Sequence, residues 1–199
     1  MRDHRQRPGE EMRIGILGGT FNPVHIGHLI LAEEIREKLS LDKVIFVPAY
    51  LPPHKDNLDI VAACHRYNMV RLAIKANRYF SLSDIEIKRD GRSYTIDTLR
   101  EFKNRYPKDE LYFITGSDLL KYLNDWKDLS EIIKMVKFVV ATRPGYPLEE
   151  IPSYISTVAI RAVDISAFEV RACIKENKSF RYLVPDAVMS YINKKRLYR

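Results

Sequence analysis

The stretch Gly18–His28, with the sequence GGTFNPVHIGH, decides how this chain begins to fold. It follows an apolar run, Ile14–Leu17, and precedes an amphipathic stretch, Leu29–Leu39. This order predicts a strand, a tight turn and a helix. Gly18 and Gly19 carry no Cβ, so a ligand can approach their backbone closely. The first N–H groups of the helix have no intrahelical partner and favour an anion such as phosphate.

His25 and His28 are the candidate catalytic residues of this turn. Residues three apart in a helix share a face, so we expect the two imidazoles to stand side by side. Gly27 lies between them and would let a ligand pack close to the helix. A single histidine is more often an ordinary surface or core residue, but here the pair coincides with a glycine turn. We therefore predict that both contact a phosphoryl group.

The chain has 199 residues, of which 46% are hydrophobic. This size and composition predict one domain over residues 12–199, preceded by a disordered leader over residues 1–11. There is no run of about 18 apolar residues and no apolar signal core at the N-terminus, so we expect a cytoplasmic protein with no membrane partner. Cys64 and Cys173 are too few for a disulfide framework and are expected to be reduced thiols.

The net charge is +7, from 33 basic and 26 acidic residues. A basic surface suits an anionic ligand, either small phosphates or nucleic acid. The basic tail 194–199 is interpreted as a solvated helix end. Most aromatic residues follow strand and helix periods and do not alternate with lysine and arginine, so we expect no nucleic-acid partner. A zinc site is disfavoured because no cysteine stands at metal spacing from the available histidines, His25, His28, His54 and His65.

Apolar, β-branched runs alternate with helical patterns along the whole chain. This alternation predicts an α/β fold, a Rossmann-like doubly wound parallel sheet with helices on both faces. The predicted strands are 13–17, 43–47, 80–87, 111–115, 138–142 and 158–163. The predicted helices are 25–39, 63–76, 93–105 with Ser93 as N-cap, 118–122, 129–135, 167–177 and 185–195. The sequence leaves open whether the chain forms a homo-oligomer.

Polar and charged residues follow most of the predicted strands. In doubly wound sheets, ligands bind beyond the carboxyl ends of the strands, where the strand order reverses. The glycine turn, Lys55, Gly116 with Asp118, Arg143, and Ser166 with Arg171 each follow a different strand. Because these segments are distant in the chain, their convergence at one sheet edge indicates a binding site there.

Further strings narrow the interpretation: PPHK (52–55), SYTIDTL (93–99), FITGSD (113–118), ATRPG (141–145), Trp126, and Ser166 with Arg171. Together with GGTFNPVHIGH, they resemble the bacterial nicotinate-nucleotide adenylyltransferases, a family of the nucleotidyltransferase superfamily with an H-x-G-H motif. The similarity covers residues 12 to about 195. It implies transfer of AMP from ATP to nicotinate mononucleotide in NAD biosynthesis, giving deamido-NAD and pyrophosphate with Mg²⁺.

The resemblance also implies roles for individual residues. Those expected to bind ATP are Gly18, Gly19, Thr20, Phe21, His25, His28, Gly116, Ser166 and Arg171. Those expected to bind nicotinate mononucleotide are Lys55, Tyr94, Thr95, Asp118, Trp126 and Arg143. The alternatives are a surface position for Lys55, core positions for Tyr94 and Trp126, a helix cap for Asp118 and a turn position for Arg143. No cluster of Asp and Glu resembles a cage for Mg²⁺, so we expect the ion to be carried by the ATP phosphates.

One segment departs from the family pattern. The family usually has I-S-S-T-x-I-R, whereas this chain has ISAFEVR over Ile165–Arg171. Ala167 and Phe168 replace two hydroxyl residues, which predicts a lost side-chain contact to phosphate and weaker ATP binding. Sister enzymes that act on pantetheine phosphate, flavin or polyol phosphates share the H-x-G-H element and are the nearest alternatives.

Overall fold

The computed structural model describes residues 11–52, 60–142, 151–161 and 163–199, and for Asp118, Leu119, Lys121 and Asn124 it describes the backbone alone. Within this part of the chain, six strands form one sheet. They are β1 (Arg13–Gly19), β2 (Lys43–Pro48), β3 (Phe80–Leu82), β4 (Glu110–Gly116), β5 (Lys137–Thr142) and β6 (Ile155–Ala159).

Helices connect the strands. They are α1 (Ile26–Lys38), α2 (Ala63–Ile74), α3 (Ile85–Arg89), α4 (Thr95–Arg105), α5 (Leu129–Met135), α6 (Ala167–Lys175) and α7 (Asp186–Lys195), with a 3₁₀ helix over Ser117–Asp125. The predicted leader, residues 1–11, lies outside the described residues except for Glu11.

The strand order is β3-β2-β1-β4-β5-β6, and every neighbouring pair is parallel. The chain builds outward from β1 through β2 to β3, and then returns to the other side of β1 as β4. This reversal leaves a crevice beyond the carboxyl ends of β1 and β4. The predicted doubly wound parallel sheet is confirmed.

Side chains alternate between the two faces of the sheet and contribute to two separate hydrophobic cores, one on each face. On β1, Leu17 joins one core, whereas Ile14 and Ile16 join the other. The first core contains residues of α1, α2, α6 and α7, and the second contains residues of α3, α4 and α5. Because helices cover both faces, the central strands are apolar at nearly every position and read as continuous apolar runs.

Two predicted strands are wrong in extent. Residues 80–87 were expected to form one strand, but β3 ends at Leu82 and α3 begins at Ile85. The Ser83 hydroxyl accepts a bond from the Ile85 N–H, 3.4 Å, at this change of direction. The last strand was expected over 158–163, but β6 covers Ile155–Ala159. As an edge strand it is mostly exposed and carries no apolar run, while the apolar residues after it turn toward the crevice.

The C-terminal segment also differs from its interpretation as a solvated end. Lys194, Lys195 and Arg196 are exposed, but Leu197 and Tyr198 are buried against the α1 and α2 side of the sheet. The chain therefore folds back after α7. None of the helices in the described residues has the length and apolar character that a membrane span requires.

Candidate active site

A cleft of about 910 Å³ lies beyond the carboxyl ends of β1 and β4. Most of the predicted site residues line it: Gly18, Gly19, Thr20, His25, His28, Tyr94, Thr95, Gly116, Trp126, Ser166 and Arg171. Two regions are named after the ligands that the sequence predicts for them. The adenylate end is the β1–α1 turn together with the N-terminus of α6, and the acceptor end is the N-terminus of α4 together with Trp126 and Lys127.

The two histidines stand side by side at the start of α1, as their spacing predicts. Their ring centroids are 3.7 Å apart. His25 is the N-cap residue and is buried, while His28 lies in the first turn. The Nδ1 atom of His28 accepts a hydrogen bond from the His25 backbone N–H, 3.2 Å. A neutral ring whose Nδ1 accepts must carry its proton on Nε2, so His28 has an N–H to donate to a ligand.

Gly27 leaves the space that the His25 ring occupies. A Cβ built on Gly27 would lie 3.0 Å from His25 Nδ1 and 3.1 Å from the next ring carbon. Any larger residue would therefore push the ring away from its present position. The sequence predicts that Gly27 lets a ligand pack close to the helix. The structure shows that the missing Cβ also leaves space for the His25 imidazole.

The turn before α1 is strained and is held from several directions. Phe21 has a φ of 48°, which is unfavourable for a residue with a side chain. Its ring is buried against Phe46 and against the edge of His28 and does not line the cleft. Only the Phe21 backbone is therefore available for the predicted contact. Next to it, Arg171 donates to the Asn22 carbonyl, 2.8 Å.

The N-terminus of α6 completes the adenylate end. Ser166 is its N-cap, and its hydroxyl accepts from the Glu169 N–H, 3.1 Å. The hydroxyl proton remains available to a phosphate. Phe168, in the first turn of α6, is 73% exposed and lines the cleft. At the position where the sequence departs from the predicted family pattern, an apolar ring therefore faces the cleft.

The acceptor end is aromatic. Trp126 packs edge-on against Phe113, with ring centroids 5.6 Å apart, and it also lines the cleft. Tyr94 is the N-cap residue of α4, and its side chain makes no capping hydrogen bond. The Nζ atom of Lys127 lies 5.0 Å from the centre of the Tyr94 ring. A flat ring, free helix N–H groups and a cation thus meet at this end.

Ser93 does not cap α4, contrary to prediction. Its hydroxyl instead accepts the Tyr50 backbone N–H, 2.8 Å, which joins α4 to the chain after β2. Behind it, the buried carboxyl of Glu86 accepts the Thr98 hydroxyl, 2.7 Å. Burial raises the pKa of Glu86 above its usual value, despite the hydrogen bond from Thr98 and the nearby charge of Arg89.

Comparison with known proteins identifies the family. Residues 16–172 match the cytidylyltransferase-like family model. The chain is 45% identical over 188 residues to a probable nicotinate-nucleotide adenylyltransferase of Thermus thermophilus, covering 94% of this chain and all of the relative. It is 42% identical over 198 residues to the protein of that name from Desulfitobacterium hafniense, covering 94% and 96%. The chain belongs to the nicotinate-nucleotide adenylyltransferase family.

Solved structures share the fold. The nicotinic acid mononucleotide adenylyltransferase of Plasmodium falciparum, solved in complex with NaAD, superimposes with a TM-score of 0.79 at 21% identity, covering 94% of this chain and 98% of that one. A nicotinate-nucleotide adenylyltransferase described as putative, from Vibrio parahaemolyticus, has a TM-score of 0.72 at 18% identity, covering 94% and 96%. The family's Rossmann-like architecture therefore extends over nearly the whole chain.

Some of the family's expected residues lie outside what the structure describes. These are Lys55, Arg143 and the side chain of Asp118. In the part of the chain that is described, no group of three or more His, Cys, Asp and Glu residues gathers as a metal site. His54, one of the histidines considered for zinc, is also outside the described residues.

Sequence reasoning missed four residues around the cleft: Arg66, Glu86, Lys127 and Tyr198. The Tyr198 hydroxyl donates to the Asn22 side chain, 3.0 Å, from the far end of the chain, and burial raises its pKa. Lys127 could have been found from its place beside Trp126. Arg66, Glu86 and Tyr198 come close to the site only through the tertiary fold, and no local sequence pattern indicates this.

Proposed function

We propose that this cleft transfers AMP from MgATP to nicotinate mononucleotide, giving deamido-NAD and pyrophosphate. The observation that carries the proposal is the His25–His28 pair, which lines one cleft together with the N-terminus of α6 and the aromatic acceptor end. Many relatives bear the name of this activity. A cytoplasmic location also belongs to the proposal. Light scattering would measure the oligomeric state, which the sequence leaves open.

The adenylate end would hold MgATP. The backbone of Gly18–Phe21 faces the adenylate, and the N-termini of α1 and α6 attract the phosphates. Ser166 and Arg171 bind the part of ATP that leaves as pyrophosphate. The magnesium ion would arrive on the ATP phosphates and keep several water ligands, as Mg²⁺ often does.

The acceptor end would hold nicotinate mononucleotide. Trp126 supplies a face for the pyridine ring. The free N–H groups at the start of α4, around Tyr94 and Thr95, suit the carboxylate, which only accepts hydrogen bonds. Lys55, Arg143 and Asp118 keep their predicted roles toward the acceptor and its phosphate. Gly116, at the end of β4, keeps its predicted role in ATP binding.

The reaction would be a direct displacement. An oxygen of the acceptor phosphate attacks the α-phosphorus of ATP, a new P–O bond forms, and the bond to the β-phosphate oxygen breaks to release pyrophosphate. The Nε2–H of His28 donates to the transferring phosphoryl group as charge builds there. The protein contributes position and charge neutralisation, and no residue is needed as a nucleophile.

The test measures pyrophosphate release from MgATP with a panel of phosphate acceptors. We expect rapid release with nicotinate mononucleotide, and little with pantetheine phosphate, flavin mononucleotide or a polyol phosphate. A preference for one of these other acceptors would refute the assignment. Incubation with α-labelled ATP without acceptor, followed by denaturation, should leave no label on the protein; stoichiometric label would refute direct transfer.

A further inference from the structure

Arg66 is a buried cation that the reaction described above does not use. It lies on α2, is only 1% exposed, and is not among the residues that line the cleft. A buried guanidinium destabilises a fold unless its N–H groups are bonded. Here all three nitrogens donate to backbone carbonyls: Nη1 to Thr20, 2.8 Å; Nη2 to Tyr50, 2.8 Å; and Nε to Val61, 3.0 Å.

The three carbonyls come from different segments. Thr20 belongs to the turn after β1, Tyr50 follows β2, and Val61 precedes α2. One side chain therefore ties the adenylate end to both flanks of the segment between β2 and α2. A planar bidentate guanidinium can span such acceptors, whereas the point charge of a lysine cannot.

The bond to Thr20 also orients the strained turn. In a trans peptide the C=O and the following N–H point in opposite directions, so holding the Thr20 carbonyl sets the direction of the Phe21 N–H. Phe21 has a φ of 48°, a conformation that persists only where its surroundings enforce it. The hydrogen bond from Arg66 to Thr20 helps to hold Phe21 in this conformation.

The bond to Tyr50 leads to the other end of the cleft. The Tyr50 N–H donates to the Ser93 hydroxyl, 2.8 Å, and the Ser93 N–H donates to the Leu51 carbonyl, 2.9 Å. Ser93 immediately precedes Tyr94 and Thr95 at the start of α4. Arg66 is thus linked to the acceptor end through a single residue, Tyr50.

We propose that Arg66 is a positioning residue for adenylyl transfer, which sets the spacing between the adenylate end and the acceptor end by holding Thr20, Tyr50 and Val61 together. This inference rests on the proposed function, because spacing matters only if two substrates react in the cleft. A misplacement of about 1 Å between reacting groups can cost about 10²-fold in rate. Loss of Arg66 should therefore lower kcat while each substrate alone still binds.

The experiment compares Arg66→Lys with Arg71→Lys. Arg71 is on the same helix but exposed, and its side chain bonds to Asn68 in the preceding turn. For Arg66→Lys we expect kcat to fall roughly 10- to 100-fold. The Kd values of MgATP and of nicotinate mononucleotide, each measured alone by calorimetry, should stay within about threefold of wild type by the same argument. Arg71→Lys should match wild type in all three quantities.

Two results with Arg66→Lys would overturn the inference. One is a folded Arg66→Lys protein with normal kcat. The other is a parallel loss of kcat and of both binding affinities, which would indicate a general structural role. If Arg66→Lys does not fold by circular dichroism, Ser93→Ala, which removes the acceptor of the Tyr50 N–H, takes its place, and a normal kcat in that variant would overturn the inference. A wild type that does not act on nicotinate mononucleotide would instead refute the proposed function.

Discussion

The adenylate end takes its turn and both histidines from one continuous stretch, Gly18–His28, whereas the acceptor end collects Tyr94, Trp126 and Lys127 from separate elements. The His28 ring bonds to the His25 backbone, only three residues away. The acceptor end depends on packing between α4, the 3₁₀ helix and the sheet. The histidine pair is therefore placed by local geometry, whereas the acceptor end is placed by the core beneath it.

This difference predicts different consequences of mutation. At the adenylate end, a change should affect the charge that develops during transfer and so reduce kcat. At the acceptor end, a change should affect which mononucleotide is accepted and how tightly it binds. The first two predictions below test that division, and the predictions run from the largest expected effect to the smallest.

His28→Ala should fold normally and lose roughly 10²–10³-fold in kcat, because one donor to the developing charge is worth about 3–4 kcal/mol. The affinity for ATP should change much less. Steady-state kinetics checks this, with His65→Ala as control, since His65 bonds to Tyr191 on α7 and does not line the cleft. Near-wild-type kcat in folded His28→Ala would remove the assigned role.

The wild-type enzyme should prefer nicotinate mononucleotide over its amide by on the order of 10²-fold in kcat/KM. A carboxamide would direct an NH₂ at the donors of the α4 N-terminus, and two unpaired buried groups would cost about 1–3 kcal/mol each. Trp126→Ala should weaken the binding of both mononucleotides. It should leave the ratio of their kcat/KM values unchanged, because ring stacking does not distinguish the acid from the amide. Equal efficiency for acid and amide would contradict the assignment of this helix end, and a ratio altered by Trp126→Ala would contradict the assignment of Trp126.

Phe168→Thr should lower the KM for ATP about fivefold, since a restored hydroxyl at the start of α6 adds one hydrogen bond of about 1 kcal/mol. The ring it replaces is exposed, so little packing is lost. The measurement is KM for ATP at saturating acceptor, and Tyr182→Thr, at an exposed aromatic outside the cleft, is the control. An unchanged KM would mean that the departure from the family pattern at position 168 has no effect on ATP binding.

Glu86→Gln should change how stability depends on pH. The folded protein raises the pKa of Glu86 above its usual value of 4.5, so it binds this proton more tightly than the unfolded chain does. Wild-type stability therefore falls as pH rises from about that value through the raised pKa, while the glutamine variant lacks this dependence. Urea unfolding should show the variant gaining stability relative to wild type as the pH rises across this range. A constant difference would contradict a raised pKa.

Much of the fold was predictable because its signals are local. The alternation of apolar runs and amphipathic stretches predicted β1, α1, β2, β4 and α5 within a few residues. The errors lie at the two sheet edges. β6 is mostly exposed and needs no apolar pattern, whereas the alternating pattern over 80–87 continues past the end of β3 into α3. Ser93 was assigned as a cap from its place before a helix, but a backbone N–H from another segment uses its hydroxyl.

The sequence by itself determined the strand, glycine turn and histidine-bearing helix at the adenylate end, because backbone freedom, helix periodicity and helix N–H groups depend only on neighbouring residues. Tertiary structure alone decided what surrounds them. Arg66 and Tyr198 reach the turn from positions 46 and 176 residues away from their partners there. No local pattern encodes such pairs, since they exist only once the parallel sheet has brought the ends of its strands together.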